Sequence, residues 1–439
     1  MRMFFIRRTV IAPGVFFILW SGLMAAQVSD GTASVEQRIQ RIQDRLVEPF
    51  LRNGKVTGPT LADRMKELRV PGVSVAVIHE GAIEWARGFG VARIGGPAVT
   101  PETLFQAASI SKPVTGFGVL RLVESGKFSL DTDVNQYLKS WRVTENEFTA
   151  KKKVTIRSLL SHTAGMTVHG FPGYASGDPV PTVVQILNGQ YPANTPRIDV
   201  DISPGTLWRY SGGGYVVMQQ MLEDETRTPF AELMQQTVLD PIGMKRSTYG
   251  QPLPAAHAAD VATPYRPDGE PVAGGPHTYP EMAPAGLWTT PSDLAHFALE
   301  MQRALARNST LLSASMAREM LTPVMQKNAR GYGLSLRTGG SGDHLNFQHG
   351  GANEGYRCEL FVYNSGDGAI VMTNSDNGSD LADDILRTIA YEYHWPDLQP
   401  KALRRFPLPG AVFFVSVAVL LIAAGVYFIR LRRSRQTAA

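Results

Sequence analysis

Val73-Ser-Val-Ala-Val-Ile78 and Ile83-Glu-Trp-Ala-Arg-Gly-Phe89 are two β-patterned runs separated by His79-Glu80-Gly81, a turn that makes them a β-hairpin. Working outward, the next strand signals lie far along the chain. Gly331 to Leu336, Asn346 to Gly350, Gly355 to Tyr363 and Ala369 to Thr373 read as short strands, with Asn364-Ser-Gly-Asp-Gly368 as a turn. Between them the periodicity is helical: Lys112 to Ser125, Thr155 to Ser161, Val216 to Glu225, Pro229 to Val238 and Pro291 to Arg307. A charged helix is predicted over Val35 to Leu51, and another, Asp380 to Tyr393, closes the body. An early hairpin, a helical middle and late strands predict an α/β protein of α+β type: one antiparallel sheet built from both ends of the chain, flanked by helices, with an inserted helical domain. A cleft between the two parts is the expected place for a site.

At 439 residues the chain can bury a sizeable core, and with 44% apolar and 19% charged residues intrinsic disorder is excluded. The net charge of +4 comes from the chain ends. Residues 1–26 and 401–439 hold ten basic residues and no acid, which leaves 33 basic and 39 acidic residues between them. Such a body is a poor phosphate-backbone binder, so nucleic acid is not expected as a partner.

Arg2 to Arg8, the apolar run Val10 to Leu23 and the small residues Ala25 and Ala26 have the layout of a secretory signal over residues 1–26; an uncleaved anchor over Thr9 to Ala26 is the alternative. Ala411 to Ile429 is 19 residues without a charge, long enough for a transmembrane helix, and it stops at Arg430. Export of the start then predicts a domain over 27–400 on the periplasmic or extracytoplasmic side and a basic cytoplasmic tail over 430–439, on a single-pass cell-membrane protein. The single cysteine, Cys358, cannot form an internal disulfide and reads as a small buried hydrophobe.

No G-x-S-x-G, H-E-x-x-H, G-x-x-x-x-G-K-[ST] or strand-borne G-x-G-x-x-G occurs, so the metalloprotease, nucleotide-hydrolase and Rossmann readings lose their main support. Neither a metal nor a cofactor is expected. His162 and His169 lack further ligands at metal spacing and read as structural histidines. One S-x-x-K does occur, Ser109-Ile-Ser-Lys112, just ahead of the apolar helical run Val114 to Val123. Residues three apart share a helix face, so Lys112 can aim its amine at the Ser109 hydroxyl. A hydroxyl is a weak nucleophile until a neighbouring base takes its proton, and a helix start offers N–H groups to an oxyanion.

Ser109-Ile-Ser-Lys112, Tyr210-Ser-Gly212 and His349-Gly-Gly351, in that order and at intervals of 101 and 139 residues, together resemble the three-element active site of penicillin-recognising serine hydrolases. The nearest group is the class C β-lactamase-like family, which also contains esterases and D-amino-acid-specific peptidases. Val70 to Ile78, Thr155 to Gly165, Pro204-Gly205 and Pro284 to Asp293 fit the same pattern, and the likeness covers roughly residues 60–395.

The resemblance implies a β-lactamase/DD-peptidase-like fold and acyl transfer. Ser109 would be the nucleophile, Lys112 and Tyr210 would share the proton work, and the oxyanion hole would be the backbone N–H groups of Ser109 and Ala352. His349, Gly350, Gly351 and Gly212 would line the substrate site. Two departures bear on substrate. His349 stands where many β-lactamases carry a lysine, and Gly212 where the middle element usually carries an asparagine. Both disfavour an efficient β-lactamase and favour an esterase or peptidase acting on a small-molecule or peptide substrate. Asn353 is the candidate to replace the missing amide, and Trp288 and Tyr356 either line the cleft or pack in the core. The alternatives are a true β-lactamase and a non-turnover penicillin-binding or sensor-like protein on the same scaffold.

Overall fold

A computed structural model of the chain describes residues 34–51, 56–327, 330–402 and 421. The predicted signal over 1–26 lies outside the described residues, as does the predicted span over 411–429 apart from Leu421. Among the described residues no helix is long and apolar enough to cross a membrane.

The hairpin forms as read, with β1 over Gly72–His79 and β2 over Ala82–Gly90. The rest of the sheet comes from β3 (Met325–Lys327), β4 (Arg330–Tyr332), β5 (Arg337–Gly339), β6 (Asn346–Asn353), β7 (Tyr356–Tyr363) and β8 (Gly368–Thr373). Its eight antiparallel strands run in the order β2-β1-β8-β7-β6-β5-β4-β3, so the two ends of the chain meet at the β1–β8 pairing. β1 is apolar almost without interruption because both faces of the sheet are covered. Ala76 and Ile78 enter the larger core, and Val73, Val75 and Val77 the smaller one. A parallel pairing of Phe50–Leu51 with Lys401–Ala402 ties the chain ends together again.

The smaller core lies under α1 (Leu61–Leu68) and the closing helix, here α8 (Gly378–Glu392), beside the helical residues 34–44. The larger core holds the inserted helices: α2 (Ser111–Glu124), α3 (Ile156–Leu160), α4 (Gly212–Thr226), α5 (Met282–Ala285), α6 (Pro291–Leu305) and α7 (Ala314–Leu321).

Two expectations are corrected. The helix predicted over Val35 to Leu51 stops at residue 44, where the chain turns to let the Leu46 N–H reach the Pro59 carbonyl. The strand predicted over Gly331 to Leu336 ends at Tyr332. There the chain leaves the sheet so that Ser335, at φ 79°, can donate its N–H to Leu160 and accept the Tyr215 hydroxyl at 2.7 Å.

Candidate active site

Ser109 lies in a 3₁₀ turn, Ala108–Ile110, that leads directly into α2. Ala108 before it has φ 48°, left-handed backbone that alanine adopts only when its surroundings hold it. They do so from several sides. The Ala107 N–H bonds the Leu287 carbonyl, the Ser111 hydroxyl donates to the Ala108 carbonyl at 2.6 Å, and Leu287 donates its own N–H to Ser111 Oγ at 3.0 Å. The Cys358 thiol, buried as expected, donates to the Ala107 carbonyl at 3.1 Å.

From the first turn of α2, Lys112 Nζ reaches Ser109 Oγ at 3.0 Å and the Pro284 carbonyl at 2.9 Å. The lysine is only 2% exposed and has no carboxylate partner among the described residues. Burial drives its pKa below the ordinary lysine value, partly opposed by the Tyr210 phenol. Tyr210 immediately precedes Ser211, the N-cap of α4. Lys112 Nζ stands 4.9 Å from the centre of its ring.

The third element sits on β6. β5 pairs with β6 only from Asn346 to Gln348, so among the described residues that edge has no strand partner from His349 onward. Gly351 brings the strand against the serine turn. A Cβ there would lie 2.3 Å from the Ala107 carbonyl oxygen and 2.6 Å from Cys358 Sγ, which explains the glycine. Ala352, next along the edge, is exposed. Ser109, Lys112, Tyr210 and the His349–Ala352 segment are thus brought together from three parts of the chain.

Gly212 is also fixed by packing. A side chain at that position would meet the Phe171 ring at 2.8 Å and the His169 carbonyl at 3.0 Å, so the 169–171 segment fills the space an asparagine would need. Asn353 cannot replace that amide, because its Nδ2 is committed to Gln106 at 2.7 Å and to the Ala285 carbonyl at 3.1 Å. Trp288 and Tyr356 prove to be core residues, both buried in the larger cluster.

Sequence reasoning missed an aromatic group around Tyr210. The rings of His162 and His169 lie 4.3 and 4.9 Å from it, and the half-exposed Trp208 lies 6.3 Å away. Tyr332 packs against His162 and Trp208, at 5.0 and 5.5 Å. Burial, and then the charge of Lys112, push His349 down to about 3 and His162 well below the histidine range, so both are neutral. A groove of about 1030 Å³ lined by Leu61, Met65, Phe89, Ile94 and Val99 lies elsewhere, at α1 and β2. Its lining residues include no serine–lysine pair like Ser109 and Lys112, so chemistry rather than volume identifies the site.

The family profile described as Beta-lactamase matches residues 59–392, and the chain belongs to that family. It is 30% identical over 186 residues to the unguisins hydrolase ungD' of Aspergillus campestris, a match covering 41% of this chain and 33% of that protein. Esterase EstB of Burkholderia gladioli is 29% identical over 220 residues, covering 47% of this chain and 53% of the esterase. The match therefore spans about half the length of these curated relatives or less. The solved D-alanine carboxypeptidase AmpC of Burkholderia cenocepacia superposes with a TM-score of 0.60 at 18% identity over 80% of this chain and 99% of that one, a likeness of fold.

Proposed function

We propose that the protein is a serine hydrolase that cleaves an ester or an amide through an acyl-Ser109 intermediate. The observation that carries this is the buried Lys112 amine, unpaired by any carboxylate among the described residues, at 3.0 Å from Ser109 Oγ. As a neutral amine Lys112 keeps one N–H on the Pro284 carbonyl and turns its lone pair to the serine hydroxyl. Ser109 Oγ attacks the substrate carbonyl carbon while its proton passes to Lys112. The oxygen that gains the charge is received by the N–H groups of Ser109 and Ala352. Collapse breaks the bond to the leaving group, which takes the proton from Lys112 through Tyr210; water then attacks the acyl carbon, giving a proton to the same pair, which returns it to Ser109 Oγ as the acyl bond breaks.

Gly212, closed in by Phe171, and neutral His349 favour an ester or uncharged amide over a β-lactam, whose acylamide and carboxylate would find neither an amide side chain nor a cation at those positions. The exposed Trp208, its ring 6.3 Å from that of Tyr210, suits an apolar substrate group, and the β6 edge without a strand partner among the described residues suits a peptide-like one. Export and anchoring of this domain rest on residues 1–26 and 411–429, and carbonate extraction of membranes from cells making the chain with and without 411–439 tests the anchor.

The experiment for the chemistry is mass spectrometry of the chain and of Ser109→Ala after exposure to a fluorophosphonate and, separately, to a penicillin. A phosphonyl adduct on Ser109 alone is expected, with little penicilloyl adduct. A stable penicilloyl adduct without turnover would favour a penicillin-binding role, and no adduct in either arm would refute the activated serine.

A further inference from the structure

The hydroxyl of Tyr332, on β4, touches both buried histidines: His162 Nε2 at 3.1 Å and His349 Nε2 at 3.4 Å. The far nitrogen of each ring has a partner of fixed polarity. His162 Nδ1 receives the Ser211 N–H at 3.1 Å, and an amide N–H can only donate, so this nitrogen is unprotonated. His349 Nδ1 faces the Gly350 carbonyl at 2.7 Å, and a carbonyl can only accept, so this nitrogen bears the proton. With both rings neutral, His162 Nε2 is then a donor and His349 Nε2 an acceptor. One hydroxyl satisfies both, taking the proton of His162 and giving its own to His349. The array runs in one direction from the Ser211 N–H to the Gly350 carbonyl, and no other assignment with neutral rings meets every partner.

This chain of bonds joins the ends of the two active-site elements that flank Ser109. Ser211 follows Tyr210, and Gly350 leads to Gly351 and Ala352. We propose that Tyr332 is a positioning residue that locks His162 and His349 in complementary neutral tautomers and thereby holds Tyr210 and the β6 edge in register with Ser109. It touches no reacting atom. The groups that face the array are Lys112 from α2, Tyr215 from α4, and His169 and Tyr210 from the loops before α4, while Arg337 of β5 acts on it from the other face of the sheet. Arg337 is cationic and Lys112 becomes so when it takes the Ser109 proton, so a second proton on either imidazole would add like charge as well as break the array.

The kinetic arm of the test rests on the acyl-serine reading, while the spectroscopic arm does not. In the full-length chain labelled with 15N-histidine, side-chain spectra should show His162 protonated at Nε2 and His349 at Nδ1, both unchanged down to about pH 5. Tyr332→Phe keeps the ring against Trp208 and removes only the hydroxyl. It should raise the pH at which His349 titrates and lower kcat for a p-nitrophenyl ester by roughly ten- to a hundredfold, with KM within about threefold. The opposite tautomer at either histidine of the unmutated chain would overturn the proposal without need of any variant. So would Tyr332→Phe with unchanged histidine spectra or unchanged kcat. If Ser109→Ala retained hydrolysis, the acyl-serine reading would fail, and the tautomers would still decide the array.

Discussion

On the side of the sheet covered by α1 and α8, three arginines hold carboxylates. Arg64 meets Asp384 at 2.9 Å, Arg387 meets the same carboxylate at 2.8 Å, and Arg41 meets Glu392 at 2.8 Å. On the side that carries Ser109, Lys112, His162, His349 and Glu281 are buried with no ion-pair partner among the described residues. Paired, partly exposed ions contribute little to stability and disturb little. Buried unpaired groups cost stability and shift their protonation, and such groups are retained where the altered protonation is itself useful. The proposed chemistry needs a lysine that can be neutral, and the inserted helices supply a place where burial lowers its pKa.

The comparison is broken most sharply at Lys112. Lys112→Met replaces a buried amine with an apolar chain of similar length, so hydrolysis of a p-nitrophenyl ester should fall roughly a thousandfold while the thermal midpoint stays level or rises. A variant that lost activity by losing its midpoint would make Lys112 a structural residue. Gly351→Ala tests the contact between β6 and the serine turn. Its Cβ would meet the Ala107 carbonyl and Cys358, so a loss of about 2–3 kcal/mol in urea unfolding and a fall in kcat of roughly a hundredfold are expected. Gly212→Asn, crowded by Phe171, should lose stability and gain no cephalosporin turnover, whereas Gly212→Asn with Phe171→Ala should recover the stability.

The same difference between the two sides governs what was legible in the sequence. The β1–β2 hairpin and the Ser109–Lys112 pair were legible because each depends on local periodicity: alternation in the first case, a spacing of three in the second. Tyr332 was not, because it sits in a three-residue strand with no alternation to read and its partner His162 is 170 positions away. The closure of position 212 by Phe171 and the commitment of Asn353 to Gln106 are likewise contacts between segments that only the fold brings together. β3 and β5, three residues each, are strands because their neighbours pair with them.

Glu281 sharpens the comparison through pH. Its carboxyl is fully buried beside α5, neither oxygen has a hydrogen-bond partner on another residue among the described ones, and burial pushes its pKa up to about 8. The folded state therefore holds this proton more tightly than the unfolded chain, whose carboxyl titrates near 4.5. The stability it contributes is full below that value and is lost as pH rises through about 8. His349, held down to about 3, acts in the opposite sense: its contribution is lost as pH falls from about 6.5. Glu281→Gln removes only the first effect, so its stability relative to the unmutated chain should improve between pH 5 and pH 8 by on the order of 3–4 kcal/mol, read by urea unfolding at each pH. Equal differences at both pH values would mean that the carboxyl finds a partner in solution.

The smallest effect is expected where charge is paired. Arg64 is 22% exposed in its side chain, and its partner Asp384 is also held by Arg387, so Arg64→Met leaves that carboxylate with a cation. It also leaves Glu67, 63% exposed, to water. The unbranched methionine stem introduced there can still cover the edge of the smaller core beside Leu61 and Met65. A stability change within about 1 kcal/mol, an unaltered kcat and a slightly smaller salt dependence of the unfolding midpoint are the expected results. A drop in kcat from a change on this side of the sheet, with stability unchanged, would show that the paired side sets the geometry of the unpaired one.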